Sequence, residues 1–458
     1  MIFRRFHDPD LAQTGFLLAC QETREAIAVD PRRDTAAWLD CARAENLKIT
    51  AVTETHIHAD YLSGARELAN QTGAKLYLSA EGGPDWLYGY PHEPLKNGDV
   101  ITAGTVRLDV LHTPGHTPEH LSFLVSGAGD AAGPHLLTGD FVFVGDVGRP
   151  DLLDEAAGGT DTRFPAARTL FRSLKDVFVQ LPDETRVWPG HGAGSACGRN
   201  LGSEPSTTVG HEKRSSWWAP FVRDGDEDGF TTELLAGQPD APWYFGRMKR
   251  HNRAGPALYG ELTPLPEIGA GRLRNADLLA VDARSGLPDG RSPLGALRLP
   301  PGGRFVTHAA WVLDPEETDR DIVLLTDDAA EAERLRAALL RIGVDTVAGY
   351  SADPEAFRSG TYPSVPPAGL AGLEDPVLLD IRTGAEHEAG HIPGSVRLHG
   401  GRVLKQLEQL PRDRPVVVYC QSGGRVPPVV SALRQRGFDA HELQGSYVGW
   451  LLAGGADS

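Results

Sequence analysis

The stretch Thr55-His56-Ile57-His58-Ala59-Asp60-Tyr61 lies where a strand-like segment gives way to a helical one. Residues 47–52 alternate in polarity and include β-branched side chains, which predicts a strand, whereas leucine and alanine recur at helical spacing from Leu62 onward. Two imidazoles and a carboxylate therefore fall on a strand-to-helix turn. Such turns expose ligands in α/β proteins, because the sheet fixes their geometry while the loop leaves the side chains accessible.

Three further strand-like runs end in the same kinds of side chain. His116 follows residues 108–111, Asp140 follows residues 136–138, and His191 follows residues 186–188. One H-x-H sequence is weak evidence for a metal, because single histidines are common on protein surfaces. Four strand ends that deliver His, His, Asp and His in order predict one shared metal site, since these side chains are frequent ligands.

These motifs resemble the metallo-β-lactamase superfamily, in which four such loops converge on one metal site. The sequences T-H-I-H-A-D, T-P-G-H-T, T-G-D and P-G-H-G-A-G-S-A-C-G are most similar to those of the persulfide dioxygenases. Most dinuclear zinc members carry H-x-H-x-D-H, whose last histidine helps to hold the second metal. Because Tyr61 stands at that position here, a mononuclear site is expected.

The resemblance to persulfide dioxygenases implies one Fe(II) per chain, with zinc as the alternative, held by two histidines and one aspartate. Carried over by motif position, the ligands are His56, His116 and Asp140. Three neighbours would orient the ligands or the substrate through hydrogen bonds: His58, Asp60 and His191.

Two residues near these motifs have competing interpretations. Arg149 follows Asp140 in a Gly-Arg pair, and the resemblance implies that it binds the anionic part of a thiol substrate; the alternative is a salt-bridged surface arginine. Cys197 follows the His191 loop, where a tight Gly/Ser/Ala-rich turn explains it without chemistry.

The composition bounds the remaining possibilities. With 458 residues and 40% hydrophobic content, the chain is expected to form about three domains with buried cores. The net charge of −17 argues against nucleic acid and anionic membranes as partners. Four cysteines without paired spacing, no apolar stretch behind Met1–Arg5 and no bilayer-length apolar segment predict a cytoplasmic location.

The chain is predicted to change character after residue 253. Residues 1–253 form the predicted metal-binding domain, and a Gly- and Pro-bearing stretch at 254–265 is predicted to be a linker. Beyond it, residues 266–360 and 366–458 share one order of features, in which two strand-like runs precede a helix. This order indicates an internal duplication of one α/β unit.

The second copy resembles the rhodanese family in D-I-R-x-x-x-E-x-x-x-G-H-I-P-G-S and in V-V-V-Y-C-Q-S-G-G-R. Cys420 is the predicted nucleophile and Arg425 its catalytic partner. The loop between them would cradle a persulfide anion on Cys420 through backbone N–H groups and the next helix N-terminus, and it consists of Gln421, Ser422, Gly423 and Gly424. Pro427 and Pro428 depart from the family pattern, although proline is tolerated in a first helical turn.

The first copy carries Thr326-Asp327-Asp328 where the second carries its cysteine. Acidic side chains repel a sulfur anion, so this copy is expected to be catalytically inactive and to act as a spacer or a docking surface.

These resemblances cover nearly the whole chain and point to the bacterial persulfide dioxygenase–rhodanese fusions. They imply an α/β fold, with an αββα metallo-β-lactamase sandwich followed by two rhodanese-like three-layer α/β domains. The implied activity is oxidation of glutathione or coenzyme A persulfide by O2 to sulfite and thiol, coupled to sulfur transfer through Cys420 with thiosulfate as a product, in sulfide detoxification. The expected partners are the thiol persulfide, O2 and sulfite, and a homo-oligomer is compatible with the sequence.

Two alternatives stay open at this point. One is a zinc thioesterase of the glyoxalase II kind with an accessory sulfurtransferase domain, although Tyr61 removes a ligand that it needs. The other is a sulfur carrier or sensor with a degenerate metal site, against which the complete set of His56, His116 and Asp140 argues.

Overall fold

The computed structural model describes residues 1–127, 133–152, 161–269, 273, 278–286, 291–293, 295–353 and 359–455. The chain divides into two compact units, of which the first comprises Met1–Ala241 and Phe245–Gly260 and the second Pro242–Tyr244 and Glu261–Ser458. The division at residues 260 and 261 falls inside the predicted linker, and both predicted copies of the α/β unit lie in the second unit.

The first unit contains two six-stranded sheets. The first sheet has the strand order β1 to β6, with antiparallel pairs at β1–β2 and β2–β3 and parallel pairs from β3 to β6. Its strands are β1 Ile2–Asp8, β2 Gln13–Ala19, β3 Glu25–Val29, β4 Lys48–Thr53, β5 Lys75–Ser79 and β6 Glu93–Leu95. The second sheet runs β12-β11-β10-β9-β8-β7, with β7 Val100–Ala103, β8 Val106–His112, β9 Leu121–Gly127, β10 His135–Gly139, β11 Arg186–Pro189 and β12 Thr207–Thr208.

Helices cover the outer face of each sheet. They are α1 Ala36–Ala44, α2 Ala65–Thr72, α3 Arg163–Asp176, α4 Val209–Ser215, α5 Ala219–Asp224, α6 Glu227–Leu235 and α7 Tyr244–Ala254, with 3-10 turns at Pro84–Trp86 and Phe178–Gln180. Apolar side chains of both sheets, such as Phe16 and Phe123, interleave in one central core. Separate cores join the first sheet to α1 and α2 and the second sheet to α3–α6. The layers are therefore αββα, as predicted.

The first strand of the fold differs from the one that the sequence predicts. The sequence predicts that Gly15–Cys20 and Ala26–Asp30 open the fold as an antiparallel pair. The structure pairs those segments, as β2 and β3, but places β1 before them as an edge strand. Strand β1 is hard to recognise from the sequence, because the outward side chains of an edge strand are solvated and the polar pair Arg4-Arg5 interrupts its apolar pattern.

Among its described residues, the second unit contains two parallel sheets and one short antiparallel ribbon. Its strands are β13 Leu278–Asp282, β14 Arg291–Pro293, β15 Leu297–Arg298, β16 Asp321–Leu325, β17 Val347–Ser351, β18 Ser359–Thr361, β19 Ser364–Val365, β20 Val377–Asp380, β21 Val396–Arg397, β22 Val416–Tyr419 and β23 Ala440–Leu443. Its helices are α8 Phe305–Val312, α9 Ala329–Leu340, α10 Gly384–Glu388, α11 Val426–Gln435 and α12 Ser446–Leu452, with 3-10 turns at Pro367–Gly372, Val403–Lys405 and Leu407–Gln409.

The two sheets of this unit repeat one strand order. The first sheet runs β15-β13-β16-β17 and the second runs β21-β20-β22-β23 with β19 added at the edge, and every pair in both sheets is parallel. A helix follows the equivalent central strand in each, α9 after β16 and α11 after β22. The repeat of this order supports the duplication that the sequence predicts.

The central strand ends of the two copies have different chemistry. In the first copy the Asp328 side chain accepts the Glu331 backbone N–H at 2.8 Å and caps α9. In the second copy β22 leads directly to Cys420, and α11 begins at Val426 with proline in its first turn.

Among the described residues, no helix combines the length and the apolar character needed to cross a bilayer.

Candidate metal centre and thiol site

The loops that follow β4, β8 and β10 bring the three predicted ligands together. Donor atoms of His56, His116 and Asp140 lie within 4.8 Å of one another, and all three side chains are buried. The Asp140 Oδ2 atom is 3.9 Å from His56 Nε2 and 3.6 Å from His116 Nε2. Asp140 Oδ2 has no hydrogen-bond donor among the described residues. A buried carboxylate oxygen without a donor, facing two imidazole nitrogens, fits a metal ligand.

The far nitrogen of each ligand histidine is anchored. His116 Nδ1 donates to the Arg149 backbone carbonyl at 2.9 Å. His56 Nδ1 donates to the Thr55 hydroxyl at 3.0 Å, and that hydroxyl donates to Asp30 at 2.9 Å. Both Nε2 lone pairs are therefore left for the metal. Burial lowers the pKa of both imidazoles, that of His116 to about 4, which keeps them in the neutral form that binds metals.

His58 and Tyr61 do not join this cluster. His58 Nε2 lies 3.2 Å from Asp30 Oδ1. Burial lowers the pKa of His58, but the carboxylates of Asp30, Glu54 and Asp60 together outweigh it and raise the value to about 9. Tyr61 is fully buried and its hydroxyl accepts a hydrogen bond from Gln13 at 3.3 Å. Of the histidines in the H-x-H-x-D-H pattern, the second (His58) is thus paired with Asp30, and the last is replaced by Tyr61.

His191 connects two carboxylates. Its Nδ1 donates to Asp140 Oδ1 at 2.6 Å, and its Nε2 donates to Asp60 Oδ2 at 2.8 Å. Burial lowers the pKa of His191, but the two carboxylates outweigh this effect and raise the pKa well above 6.5. The predicted neighbours His191 and Asp60 are therefore placed to orient Asp140. Cys197 lies beside them, with its sulfur in a second potential ligand cluster with Asp60 and His191.

The site also includes residues that the sequence analysis missed. His120 Nδ1 donates to the Thr113 hydroxyl at 2.9 Å, and its Nε2 accepts the Asp140 backbone N–H at 3.2 Å. His120 thereby fixes the backbone of a ligand. Its spacing of four residues from His116, in T-P-G-H-T-P-E-H, is the sequence signal that could have identified it. Glu119 accepts the backbone N–H of Ile57 at 2.8 Å and so holds the first ligand loop.

Helix α7 locks the first ligand loop and brings a cation to it. The Asn252 side chain donates to the carbonyls of His58 and Tyr61, both at 2.8 Å. Lys249 lies one helical turn earlier, is 5% exposed, and its Nζ has no hydrogen-bond acceptor among the described residues. Burial lowers the pKa of His56 and His116, and the Lys249 charge lowers both further. The ammonium lies over the Trp86 ring, 5.4 Å from the ring centroid, but a buried ammonium without a hydrogen-bond acceptor is costly.

Arg149 has other partners than a substrate. Arg149 is 1% exposed, its Nε donates to Asp151 Oδ1 at 2.9 Å, and its Nη2 donates to Asp151 Oδ2, which makes the contact bidentate. Its Nη1 donates to the backbone carbonyls of Ala196 and Pro239. The side chain therefore braces loops around the site, while its backbone carbonyl anchors His116. The predicted substrate contact stays a prediction that these hydrogen bonds do not support.

The second unit presents Cys420 at the base of the predicted cradle. The Gly423 N–H donates to the Cys420 sulfur at 3.1 Å. Gly423 has φ of +104°, a backbone conformation that L side chains rarely adopt, and this turn directs the N–H inward. The Cys420 N–H donates to the Ser446 hydroxyl at 3.2 Å, a contact that the sequence did not reveal.

The remaining cradle residues are held by ion pairs. Arg425 makes a bidentate contact with Glu386, with N–O distances of 2.8 and 2.6 Å. The Gln421 side chain accepts from Arg382 at 3.0 Å, and Arg382 is paired with Asp380. The residues of this loop that face an adjacent cavity of about 840 Å³ are Cys420, Ser422, Gly424 and Arg425.

Comparisons with known proteins match two separate parts of the chain. The family model of the metallo-beta-lactamase superfamily matches residues 24–191. A solved structure, the metallo-beta-lactamase from Staphylococcus aureus subsp. aureus COL, is 37% identical with a TM-score of 0.66, covering 76% of this chain and 98% of that chain. The chain belongs to the metallo-β-lactamase superfamily. The family model of the rhodanese-like domain matches residues 369–453, so a rhodanese-like domain follows the sandwich in the sequence.

Two other relatives match smaller shares of the chain. A hydroxyacylglutathione hydrolase from Polaromonas sp. is 35% identical over 178 residues, which is 39% of this chain and 61% of that protein. The match thus spans less than two thirds of that relative. The crystal structure of ETHE1 from Myxococcus xanthus is 28% identical with a TM-score of 0.45, covering 56% of this chain and 99% of that chain.

Proposed function

We propose that this protein is an iron-dependent persulfide dioxygenase joined to a sulfurtransferase. The observation that carries the proposal is the buried His56, His116 and Asp140 cluster, from which His58 is diverted to Asp30 and at which Tyr61 replaces a second-metal histidine. Two neutral histidines and one carboxylate are the ligand set of mononuclear non-haem iron sites, which keep positions open for substrate and dioxygen. Bound iron would supply activation of O2 beside a persulfide sulfur.

The protein side chains would orient this reaction. His191 and Asp60 hold the Asp140 carboxylate, and the anchors on His56 and His116 fix the direction of both imidazoles. Lys249 would bind an anionic group of the thiol persulfide, because it is the buried cation beside the cluster whose ammonium has no acceptor in the described chain. The substrates are a glutathione or coenzyme A persulfide and O2, and the products are sulfite and thiol.

The second activity would use Cys420. The Gly423 N–H already points at its sulfur, so a persulfide on Cys420 would form beside a ready donor. Sulfite from the first reaction would accept that sulfane sulfur and leave as thiosulfate. Such coupling would remove a toxic sulfide-derived persulfide. All four cysteines are free, which fits the proposed cytoplasmic location.

The direct test combines metal analysis with oxygen uptake. Protein purified anaerobically should contain about one iron per chain and should consume O2 with glutathione persulfide. Asp140→Ala should lose both iron and oxygen uptake, whereas Cys420→Ser should keep both and lose only sulfur transfer to sulfite. An iron-loaded protein that consumes no O2 with glutathione or coenzyme A persulfide would exclude the dioxygenase.

A metal-dependent thioesterase is the second candidate. The hydroxyacylglutathione hydrolase relative and the second cluster of Asp60, His191 and Cys197 favour it, because two metals need two ligand sets. In the structure, however, both His191 nitrogens are engaged by carboxylates. Two zinc ions per chain and hydrolysis of S-lactoylglutathione would establish the hydrolase in place of the dioxygenase.

A further inference from the structure

The cavity above Cys420 is built by both copies of the α/β unit. The second copy contributes the cysteine loop, Thr383 and Glu386, whereas the first copy contributes residues 300–305 and His308. These first-copy residues form the loop after β15 and the start of α8. The catalytic thiol is therefore walled on one side by the copy that lacks a thiol of its own.

The first-copy wall carries two groups suited to an anion. Arg304 is exposed at the start of α8 and forms no ion pair with a carboxylate of the described chain. His308 is 8% exposed, and its Nε2 has no hydrogen-bond partner among the described residues. Burial, reinforced by the positive charges of Arg304 and Arg425, lowers the pKa of His308 to about 4, so the imidazole is neutral and one ring nitrogen carries a proton.

The second-copy wall supplies less free positive charge. The Arg425 guanidinium is held in a bidentate pair with Glu386, and both groups line the cavity. That pair is close to neutral overall. The uncompensated cation of the cavity is therefore Arg304, which comes from the first copy.

The wall is fixed in place by contacts between the copies. The Arg298 N–H donates to the Ser431 hydroxyl of α11 at 2.9 Å, and the Gln435 side chain donates to the Gly295 carbonyl at 2.7 Å. Trp311 lies one turn after His308 on α8, and its ring packs on Gly400. Helix α8 is thus held against the second copy, with His308 toward the cavity.

We propose that the first copy is the acceptor-binding half of the sulfurtransferase, in which Arg304 and His308 bind a sulfur oxyanion, sulfite or thiosulfate, opposite Cys420. This inference rests on the proposed persulfide at Cys420. It replaces the expectation of a spacer or docking surface with a direct part in binding. The acidic Asp327 and Asp328 that remove catalysis from this copy do not line the cavity.

The chemistry explains why a second cation is needed. The sulfite sulfur attacks the outer sulfur of the Cys420 persulfide anion, an S–S bond forms in thiosulfate, and the bond to the Cys420 sulfur breaks to leave its thiolate. Three negative charges are present before and after this step, so no oxidant or reductant is consumed. A dianion that approaches a persulfide anion is repelled, and a cation on the opposite wall offsets this repulsion.

The test uses the charge of the acceptor. The full-length protein is loaded anaerobically with sulfane sulfur from inorganic polysulfide, so that no dioxygenase turnover occurs, and the Cys420-specific fraction is obtained by comparison with Cys420→Ser. Loss of that sulfur is then timed against rising concentrations of sulfite or of dithiothreitol, a neutral thiol. Arg304→Gln and His308→Gln are compared with Arg320→Gln, which removes an exposed first-copy arginine outside the cavity lining.

We expect Arg304→Gln to raise the half-saturating sulfite concentration about tenfold, because a charge-assisted contact is lost, and to leave the dithiothreitol reaction unchanged. His308→Gln should shift the sulfite dependence in the same direction, and Arg320→Gln should match the wild type. Equal sulfite dependence in Arg304→Gln and Arg320→Gln overturns the inference, as does equal slowing with both acceptors. A wild-type protein that takes up no sulfur at Cys420 overturns the proposed function instead.

Discussion

The Tyr61 ring lies against the His58 ring, with centroids 4.5 Å apart, beside the ligand cluster. A phenol with a pKa well above its usual value, raised by burial and then by the Asp30 charge, is a poor metal ligand. Tyr61 thus stands at the last position of the H-x-H-x-D-H pattern, where its ring packs on His58 and its hydroxyl accepts from Gln13.

Replacing this ring by imidazole should create a two-metal site. Tyr61→His would place a neutral nitrogen ligand beside Asp60 and His191, so we expect bound zinc to rise from about one to about two ions per chain after reconstitution. Elemental analysis after gel filtration measures the change. Tyr61→Phe, which keeps the ring and removes only the hydroxyl, is the matched control and should stay at about one. Two ions in the wild type would contradict this account.

The carboxylate behind the first ligand should tune metal affinity. Asp30 accepts hydrogen bonds from the Thr55 backbone N–H at 2.7 Å and from the Thr55 hydroxyl that orients His56. Its φ is +51°, a conformation that asparagine also adopts, so Asp30→Asn changes charge without straining the backbone. We expect iron affinity to fall about 10- to 100-fold.

Anaerobic competition with a chelator measures that affinity without any turnover. Asp8→Asn is the control, since Asp8 is also buried and accepts a backbone N–H, at Asp10, but lies at the end of β1. An Asp30 variant with the affinity of the Asp8 variant would show that this carboxylate does not support the ligands.

The buried ammonium of Lys249 is expected to lower the free energy of unfolding but to strengthen substrate binding. Lys249→Met removes a charge that burial destabilises, so the free energy of unfolding should stay equal or rise. The KM for glutathione persulfide in oxygen uptake should rise about tenfold because an anion loses its partner. Lys213→Met, which removes a lysine paired with Asp183 at the surface, should leave KM unchanged. An unaltered KM in Lys249→Met would remove this residue from substrate recognition.

The Glu386 pair should make the stability of the second unit depend on acid. Burial raises the pKa of Glu386, but the Arg425 guanidinium and the hydrogen bonds from Thr383 together outweigh it and lower the value from 4.5 to about 2. A depressed pKa stabilises the fold above pH 4.5, and this contribution disappears as the pH falls toward 2.

Glu386→Gln should therefore lower the free energy of unfolding by about 1 kcal/mol at pH 7, a value reduced by partial solvent exposure, and by progressively less in acid. Urea unfolding of the full chain between pH 7 and pH 3 measures the difference, with Glu388→Gln, exposed on the same helix, as the control. A difference that stays constant over this range would mean that the carboxylate charge contributes nothing.

Much of the candidate metal site could be predicted from where strands end. His56, His116 and Asp140 were predictable because each follows an apolar run, and parallel or adjacent strands deliver such residues to one edge. Asp30 obeys the same rule at the end of β3, the parallel neighbour of β4, and was overlooked because no motif surrounds it.

The missed residues depend on packing that local patterns do not encode. Lys249 and Asn252 lie in the sequence R-M-K-R-H-N-R, which is typical of a solvated helix face, yet both side chains are buried. Their contacts join residues about 190 positions apart in sequence, as in the hydrogen bond from Asn252 to the Tyr61 carbonyl. Likewise, nothing in the first copy's sequence indicates that its loop after β15 faces Cys420.

The Trp311 ring rests on Gly400 so closely that a methyl group added there would come within 2.5 Å of the ring. Carbon atoms do not approach that closely, so any side chain at position 400 would push the tryptophan away. His308, whose ring centroid is 4.9 Å from that of Trp311, would be carried along with it. The absence of a side chain at Gly400 therefore lets helix α8 of the first copy pack closely on the second copy. The first copy has no thiol of its own, yet its packing is constrained by the site around Cys420.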